Sequence, residues 1–149
     1  MSDKTVRVLF TGGGSGGPTI PLLALAQEIR GLKKNSEFLF LGSKFGPERK
    51  MVEQAEIPFS TIPSGKLRRY WNWRNFIDPL YILGGGITGL IYLLRFRPQV
   101  IVSAGSFVSV PVAYAAWLLR IPIVSMRMDL RSGLASRLMA PVSSAVVFN

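Results

Sequence analysis

Histidine and cysteine are both missing from the 149 residues. Without cysteine there is no disulfide framework and no thiolate ligand, which leaves a reducing compartment open. Without histidine, the side chain that most often moves protons near neutral pH is gone. Acid–base work then falls to one of the 8 carboxylates, to a lysine or tyrosine, or to a partner. Those carboxylates are scattered, so no ligand cluster forms, and neither a metal nor a cofactor is expected. Acid is also scarce as a class, because 8 Asp and Glu face 18 Lys and Arg for a formal charge of +10. A leader is not expected, since Met1 to Lys4 is polar and runs straight into the first apolar stretch.

What is present is grease combined with basicity. Apolar residues make up 48% of the chain, beside that charge of +10. The length suits one domain with a substantial core. An anionic and oily surface, the headgroup region of a bilayer, fits this balance better than nucleic acid does. No RNP-like motif accompanies the basic residues, so no nucleic-acid partner is expected.

Apolar β-branched runs alternate with helical spacing along most of the chain. Strands are predicted at Val6 to Phe10, Glu37 to Leu41, Ile57 to Ile62, Val100 to Val102, Ile121 to Val124 and Ser144 to Phe148. Helices are predicted at Pro21 to Arg30, ended by Gly31, at Pro47 to Gln54, at Val110 to Leu119, and at Gly133 to Met139 with Ser132 as cap. The expected fold class is α/β, a doubly wound Rossmann-like and mostly parallel sheet of about six strands. The chain stops directly after the sixth strand, an ending expected of a truncated sequence.

Between the first strand and first helix lies Thr11-Gly12-Gly13-Gly14-Ser15-Gly16-Gly17-Pro18. Glycines there let the backbone approach a ligand, and free N–H groups at the helix start favour an anion, so a phosphate-bearing ligand is expected. Gly12, Gly14 and Gly17 satisfy G-x-G-x-x-G, which suggests a dinucleotide turn. That reading wants a carboxylate at the second strand tip, where Leu41-Gly42-Ser43-Lys44 offers none. A second small-residue turn, Ser103-Ala104-Gly105-Ser106-Phe107-Val108-Ser109, follows the fourth strand. Arg127 and Asp129 follow the fifth, and at this level Asp129 reads equally as a surface ion pair, a cap or a functional group.

The stretch from Lys66 to Arg97 breaks the alternation. Lys66, Arg68, Arg69 and Arg74 are interleaved with Leu67, Tyr70, Trp71, Trp73 and Phe76, and Asp78 is the one acid before Arg95 and Arg97. Pro79 to Leu94 carries no charge but is shorter than the ~18–20 residues that cross a bilayer, and Gly84-Gly85-Gly86 weakens it as a free-standing helix. A transmembrane helix is therefore excluded. Two readings stay open: a crossover helix apolar all round because it is covered, or an interfacial segment resting at headgroup depth.

The two glycine turns, Gly13 to Pro21 and Ser103 to Pro111, together with Ala115-Ala116-Trp117 and Ile121-Pro122, resemble the MurG-type lipid-linked N-acetylglucosaminyltransferases of peptidoglycan assembly. The resemblance covers nearly the whole chain. It implies a GT-B architecture of which residues 1–149 form the N-terminal acceptor- and membrane-binding half, with a separate C-terminal half for UDP-N-acetylglucosamine. It further implies an undecaprenyl-diphosphate-linked muramyl peptide as acceptor and peripheral attachment to the cytoplasmic face of the inner membrane.

By position, Gly13, Gly14, Ser15, Gly16 and Gly17 would cradle the acceptor diphosphate. Gly105, Ser106, Phe107 and Ser109 would form a second wall. Lys66, Arg68, Arg69, Tyr70, Trp71, Trp73, Arg74 and Phe76 fall on the family's membrane-docking patch. Pro18 stands where the family has a histidine, and Met126-Arg127-Met128-Asp129 replaces its later histidine-led loop. Asp129 is then the candidate base of a divergent enzyme. A membrane-anchoring subunit that recruits a separate catalytic chain, and a phosphate-cofactor domain, are the alternatives.

Overall fold

The computed structural model describes residues 5–12, 19–43, 47–62, 78–105, 108–127, 141 and 143–148. Within them lie six strands, β1 (Val6–Thr11), β2 (Ser36–Gly42), β3 (Phe59–Thr61), β4 (Val100–Ser103), β5 (Ile123–Arg127) and β6 (Ala145–Phe148). Four helices join them, α1 (Thr19–Leu32), α2 (Glu48–Gln54), α3 (Asp78–Phe96) and α4 (Ser109–Leu118). The strands form one sheet in the order β3-β2-β1-β4-β5-β6, and every pairing is parallel. This is the doubly wound α/β architecture expected from the alternating pattern.

Strand alternation sorts the core into two layers. Val8, Phe10, Phe38, Phe40 and Val102 pack against Leu22 and Ala26 of α1 and Val52 of α2. Leu9, Leu39, Leu41, Ile101 and Ile123 point the other way, onto Leu93 of α3 and Val112 and Ala116 of α4. Helices thus cover both faces of the sheet, as an all-parallel sheet requires.

The connections follow one local rule at each end of a helix. Proline lies at the cap or within the first three positions of all four helices, as Pro21, Pro47, Pro79 and Pro111. There its missing N–H costs nothing, because the first-turn donors have no helical acceptor. At the other end, Glu56, Arg97 and Arg120 take positive φ values of 59°, 52° and 58° after α2, α3 and α4. Each is followed within two residues by a proline, which cannot continue a helix.

Several predicted boundaries move for physical reasons. α1 continues through Gly31 to Leu32, because Lys33 still donates to the Ile29 carbonyl at 2.8 Å, so glycine does not end it. β3 begins at Phe59 rather than Ile57. Pro58 has no N–H and enters the ladder only as an acceptor, from Phe40 N at 2.9 Å, while Ile57 closes the α2 turn. β5 starts at Ile123, after Pro122, and runs on to Arg127, because pairing with β6 continues through Met126 and Arg127. The predicted helix Gly133 to Met139 and its cap Ser132 lie outside the described residues.

α3 resolves the two readings of Pro79 to Leu94 in part. It is a helix whose Gly85 and Leu93 are buried and whose Gly89 faces Val112 of α4, with an added Cβ reaching the Val112 Cα at 3.6 Å. It is not covered all round, so that part of the crossover reading is corrected: Leu83, Ile87, Ile91 and Leu94 are exposed. A Cβ added at Gly84 or Gly86 would have nothing within 4 Å, so no contact requires glycine there. Gly84→Ala and Gly86→Ala are each expected to raise stability by about 0.5–1 kcal/mol through helix propensity alone, as read by thermal or urea denaturation.

Candidate functional site

Strand order reverses direction between β1 and β4, and in open parallel sheets the crevice beyond the strand carboxyl ends at that point is where ligands bind. The two strand tips are tied to one another and to β2. Ala104 N donates to the Thr11 carbonyl at 3.0 Å, and Gly12 N donates to the Leu41 carbonyl at 3.3 Å. A Cβ on Gly12 would lie 3.2 Å from the Ala104 Cβ, so glycine at this position lets the chain ends of β1 and β4 lie close together.

The helices that leave these two tips differ electrostatically from their neighbours. α1 and α4 have no acidic residue in the first turn, and α4 has no side-chain cap. α2 carries the buried Glu48 in its first turn, and α3 begins at Asp78. Among the described residues, the first turns of α1 and α4 on either side of the switch point thus carry no carboxylate to offset their positive ends, an arrangement that attracts an anion.

Under the crevice runs a row of hydroxyls. Thr11, Ser103 and Ser125 are paired in register across β1, β4 and β5, and all three are buried. Two residues earlier the same register is wholly apolar, as Leu9, Ile101 and Ile123. Ser103 Oγ accepts from Gly105 N at 3.0 Å, and Ser125 Oγ lies 2.8 Å from Ser143 Oγ. Sequence reading passed over this row, although its signal is visible: a hydroxyl closes each of three apolar runs, at Thr11, Ser103 and Ser125.

At the tip of β2, Glu48 takes the place of the missing strand-end carboxylate. Its Oε1 accepts from the Ser43 backbone N–H at 2.9 Å and from the Ser43 hydroxyl. The acid is fully buried and serves to hold the strand tip to α2.

Of the residues singled out from sequence, Gly105 and Ser109 are described. Gly105 has φ 79°, a left-handed conformation suited to glycine, but its N–H is engaged by Ser103 Oγ, so Gly105 contributes the shape of the turn rather than a free amide. Ser109 opens α4 and is fully buried. Gly13, Gly14, Ser15, Gly16, Gly17, Ser106, Phe107 and the candidate base Asp129 lie outside the described residues. So do Lys66, Arg68, Arg69, Tyr70, Trp71, Trp73, Arg74 and Phe76.

A second feature lies on the outer side of the α3/α4 layer. Leu83, Ile87, Ile91 and Leu94 recur at helical spacing and are 63%, 55%, 47% and 54% exposed. On the neighbouring α4, Tyr114, Trp117 and Leu118 share one exposed side. Exposed apolar groups gathered on one layer in this way mark an interaction surface. Among the described residues, no helix is long and apolar enough to cross a membrane.

An open parallel sheet with an anion-attracting crevice at its switch point defines a Rossmann-like α/β domain of the kind found in GT-B glycosyltransferases. Residues 8–148 match the glycosyltransferase family 28 N-terminal domain, and the chain belongs to that family. It is 42% identical over 134 residues to the UDP-N-acetylglucosamine–N-acetylmuramyl-(pentapeptide) pyrophosphoryl-undecaprenol N-acetylglucosamine transferase of Legionella pneumophila (strain Corby), covering 90% of this chain and 36% of that protein. The transferase of the same name from Clostridium perfringens (strain SM101 / Type A) is 41% identical over 138 residues, with 93% and 38% covered. The chain therefore spans little more than a third of the length of these curated relatives. The crystal structure of Acinetobacter baumannii MurG superposes with a TM-score of 0.81 at 22% identity, covering 96% of this chain and 41% of that one, which establishes the shared fold.

Proposed function

We propose that this chain is the acceptor-binding half of a glycosyltransferase that moves N-acetylglucosamine from UDP-N-acetylglucosamine to an undecaprenyl-diphosphate-linked muramyl peptide. It works with a UDP-sugar-binding half and docks peripherally on the anionic cytoplasmic leaflet of the cell membrane. The observation that carries this reading is the pair of helix starts, α1 and α4, that flank the switch point without an acid in their first turns. A diphosphate is the group such a crevice favours.

In the transfer itself, the acceptor sugar's 4-hydroxyl attacks the anomeric carbon of the donor, the bond to UDP breaks, and the hydroxyl proton passes to a base. Pro18 stands at the family's histidine position and cannot accept that proton. Asp129 is the candidate for that base, with Gly13, Gly14, Ser15, Gly16 and Gly17 cradling the acceptor diphosphate and Gly105, Ser106, Phe107 and Ser109 forming a second wall. The outer face of α3 and α4, with Arg95 and Arg97 exposed at the end of α3, supplies grease and charge for the lipid surface.

Titrating the chain calorimetrically with a short-chain polyprenyl-diphosphate-linked muramyl peptide tests the reading. Saturable binding that is lost with the dephosphorylated lipid is expected, and equal heats from both compounds would overturn it. The absence of any histidine favours one second reading, a non-catalytic subunit that anchors a separate donor-binding chain. Transfer that survives Asp129→Asn in the reconstituted pair would support it.

A further inference from the structure

Among the described residues, three buried side-chain polar atoms have no hydrogen-bond partner: Thr11 Oγ1, Thr19 Oγ1 and Glu48 Oε2. All three belong to residues at the carboxyl edge of the sheet, and none lies within the body of either core layer. Thr11 is the last residue of β1 and Thr19 the first of α1, so the two residues flank the glycine turn in sequence, Thr11 on the sheet face of Leu9 and Thr19 on the helix that covers the other face. Thr11 is 1% exposed and Thr19 fully buried. Buried hydroxyls are almost always paired, and an unpaired one carries its whole desolvation cost. A valine would fill the same volume at either position without that cost.

Glu48 differs from the two threonines. Its other oxygen is committed to Ser43, and a carboxylate repels a diphosphate. A threonine hydroxyl is neutral and able to donate, and it adds to the positive end of α1 without the bulk of a lysine. We propose that Thr11 and Thr19 are substrate-binding residues whose hydroxyls donate to the diphosphate oxygens of the acceptor and find their partners only in the bound state. The proposal rests on the acceptor reading given above and adds to it two residues outside the glycine turn. Because both atoms are out of contact with solvent, reaching them requires a local rearrangement on binding.

Thr11→Val and Thr19→Val in the full chain provide the test, each read by thermal denaturation and by calorimetric affinity for the short-chain polyprenyl-diphosphate-linked muramyl peptide. Melting midpoints at or above that of the parent chain are expected, because no hydrogen bond is lost and an unpaired group is removed. Affinity is expected to fall by roughly 10-fold for each substitution, the effect of losing one donor to a charged oxygen. Thr11→Ser and Thr19→Ser keep the donor and are expected to keep the affinity.

Valine variants that bind as tightly as the parent would overturn the proposal. So would valine variants that lose stability with affinity unchanged, since the hydroxyls would then be serving the fold. Failure of the parent chain to bind the acceptor at all would instead overturn the acceptor reading itself, so the two failures are distinguishable.

Discussion

Gly42→Ala is expected to lower the thermal midpoint by roughly 2–12 °C, from a loss of about 1–3 kcal/mol and ~2–4 °C per kcal/mol for a chain of this size. The reason is steric. A Cβ at the end of β2 would stand 2.7 Å from both Phe59 Cε2 and Cζ, and 3.3 Å from Glu48 Cγ. The Phe59 ring has little room to retreat, being stacked on Phe40 at a centroid separation of 5.8 Å, with the Arg49 guanidinium 5.8 Å from its centroid on the surface. The same methyl group presses on the acid that ties Ser43 to α2, so the strand tip beside the crevice would loosen together with the core. Gly42→Ala combined with Phe59→Leu should recover part of the loss. If the single variant melts with the parent chain, the close approach of Phe59 to Gly42 is wrong.

The second large effect concerns the lipid surface and leaves the fold alone. Leu83 and Ile87 are more than half exposed, so replacing both with asparagine removes little that is packed and should change folding stability by no more than about 1 kcal/mol. Transfer of two such side chains from water into the headgroup and acyl boundary accounts for about 1.5–3 kcal/mol each when burial is complete. Partition onto anionic vesicles is therefore expected to fall by roughly 100-fold, as read by sedimentation. Raising the salt should weaken what binding is left, because Arg95, Arg97 and the other cations act through a screened field. A double variant that unfolds would show that this face is packed rather than open. One that binds vesicles unchanged would remove α3 from the docking surface.

Legibility of the sequence followed how local each signal was. β1, β2 and β4 were visible because buried parallel strands are continuous runs such as Val8-Leu9-Phe10 and Val100-Ile101-Val102, with no competing helical spacing. Boundaries drifted where the deciding contact was distant. β5 extends to Arg127 because β6 pairs with it, and nothing within Ser125-Met126-Arg127 announces a neighbour 21 residues further on. Gly31 looked like a stop signal, yet helix α1 carries its hydrogen bonding past it. The glycine-rich stretches that follow β1 and β4 are visible as composition, whereas the register that aligns Thr11, Ser103 and Ser125 exists only once the strands are paired. The engagement of the Gly105 amide by Ser103 was likewise invisible from the sequence, since Ser103 read as part of a small-residue turn. α3 shows the same limit: its composition is apolar throughout, and only packing against α4 separates Gly85, Gly89 and Leu93 from the open side.

Flotation of the chain with anionic vesicles, with and without the undecaprenyl-diphosphate-linked muramyl peptide in the bilayer, bears most directly on the central claim that one domain both meets the membrane and grips the diphosphate. Weak, salt-sensitive flotation is expected with the anionic lipid alone, and a marked strengthening when the acceptor is present. Equal flotation on both kinds of vesicle, or none on either, would contradict that claim.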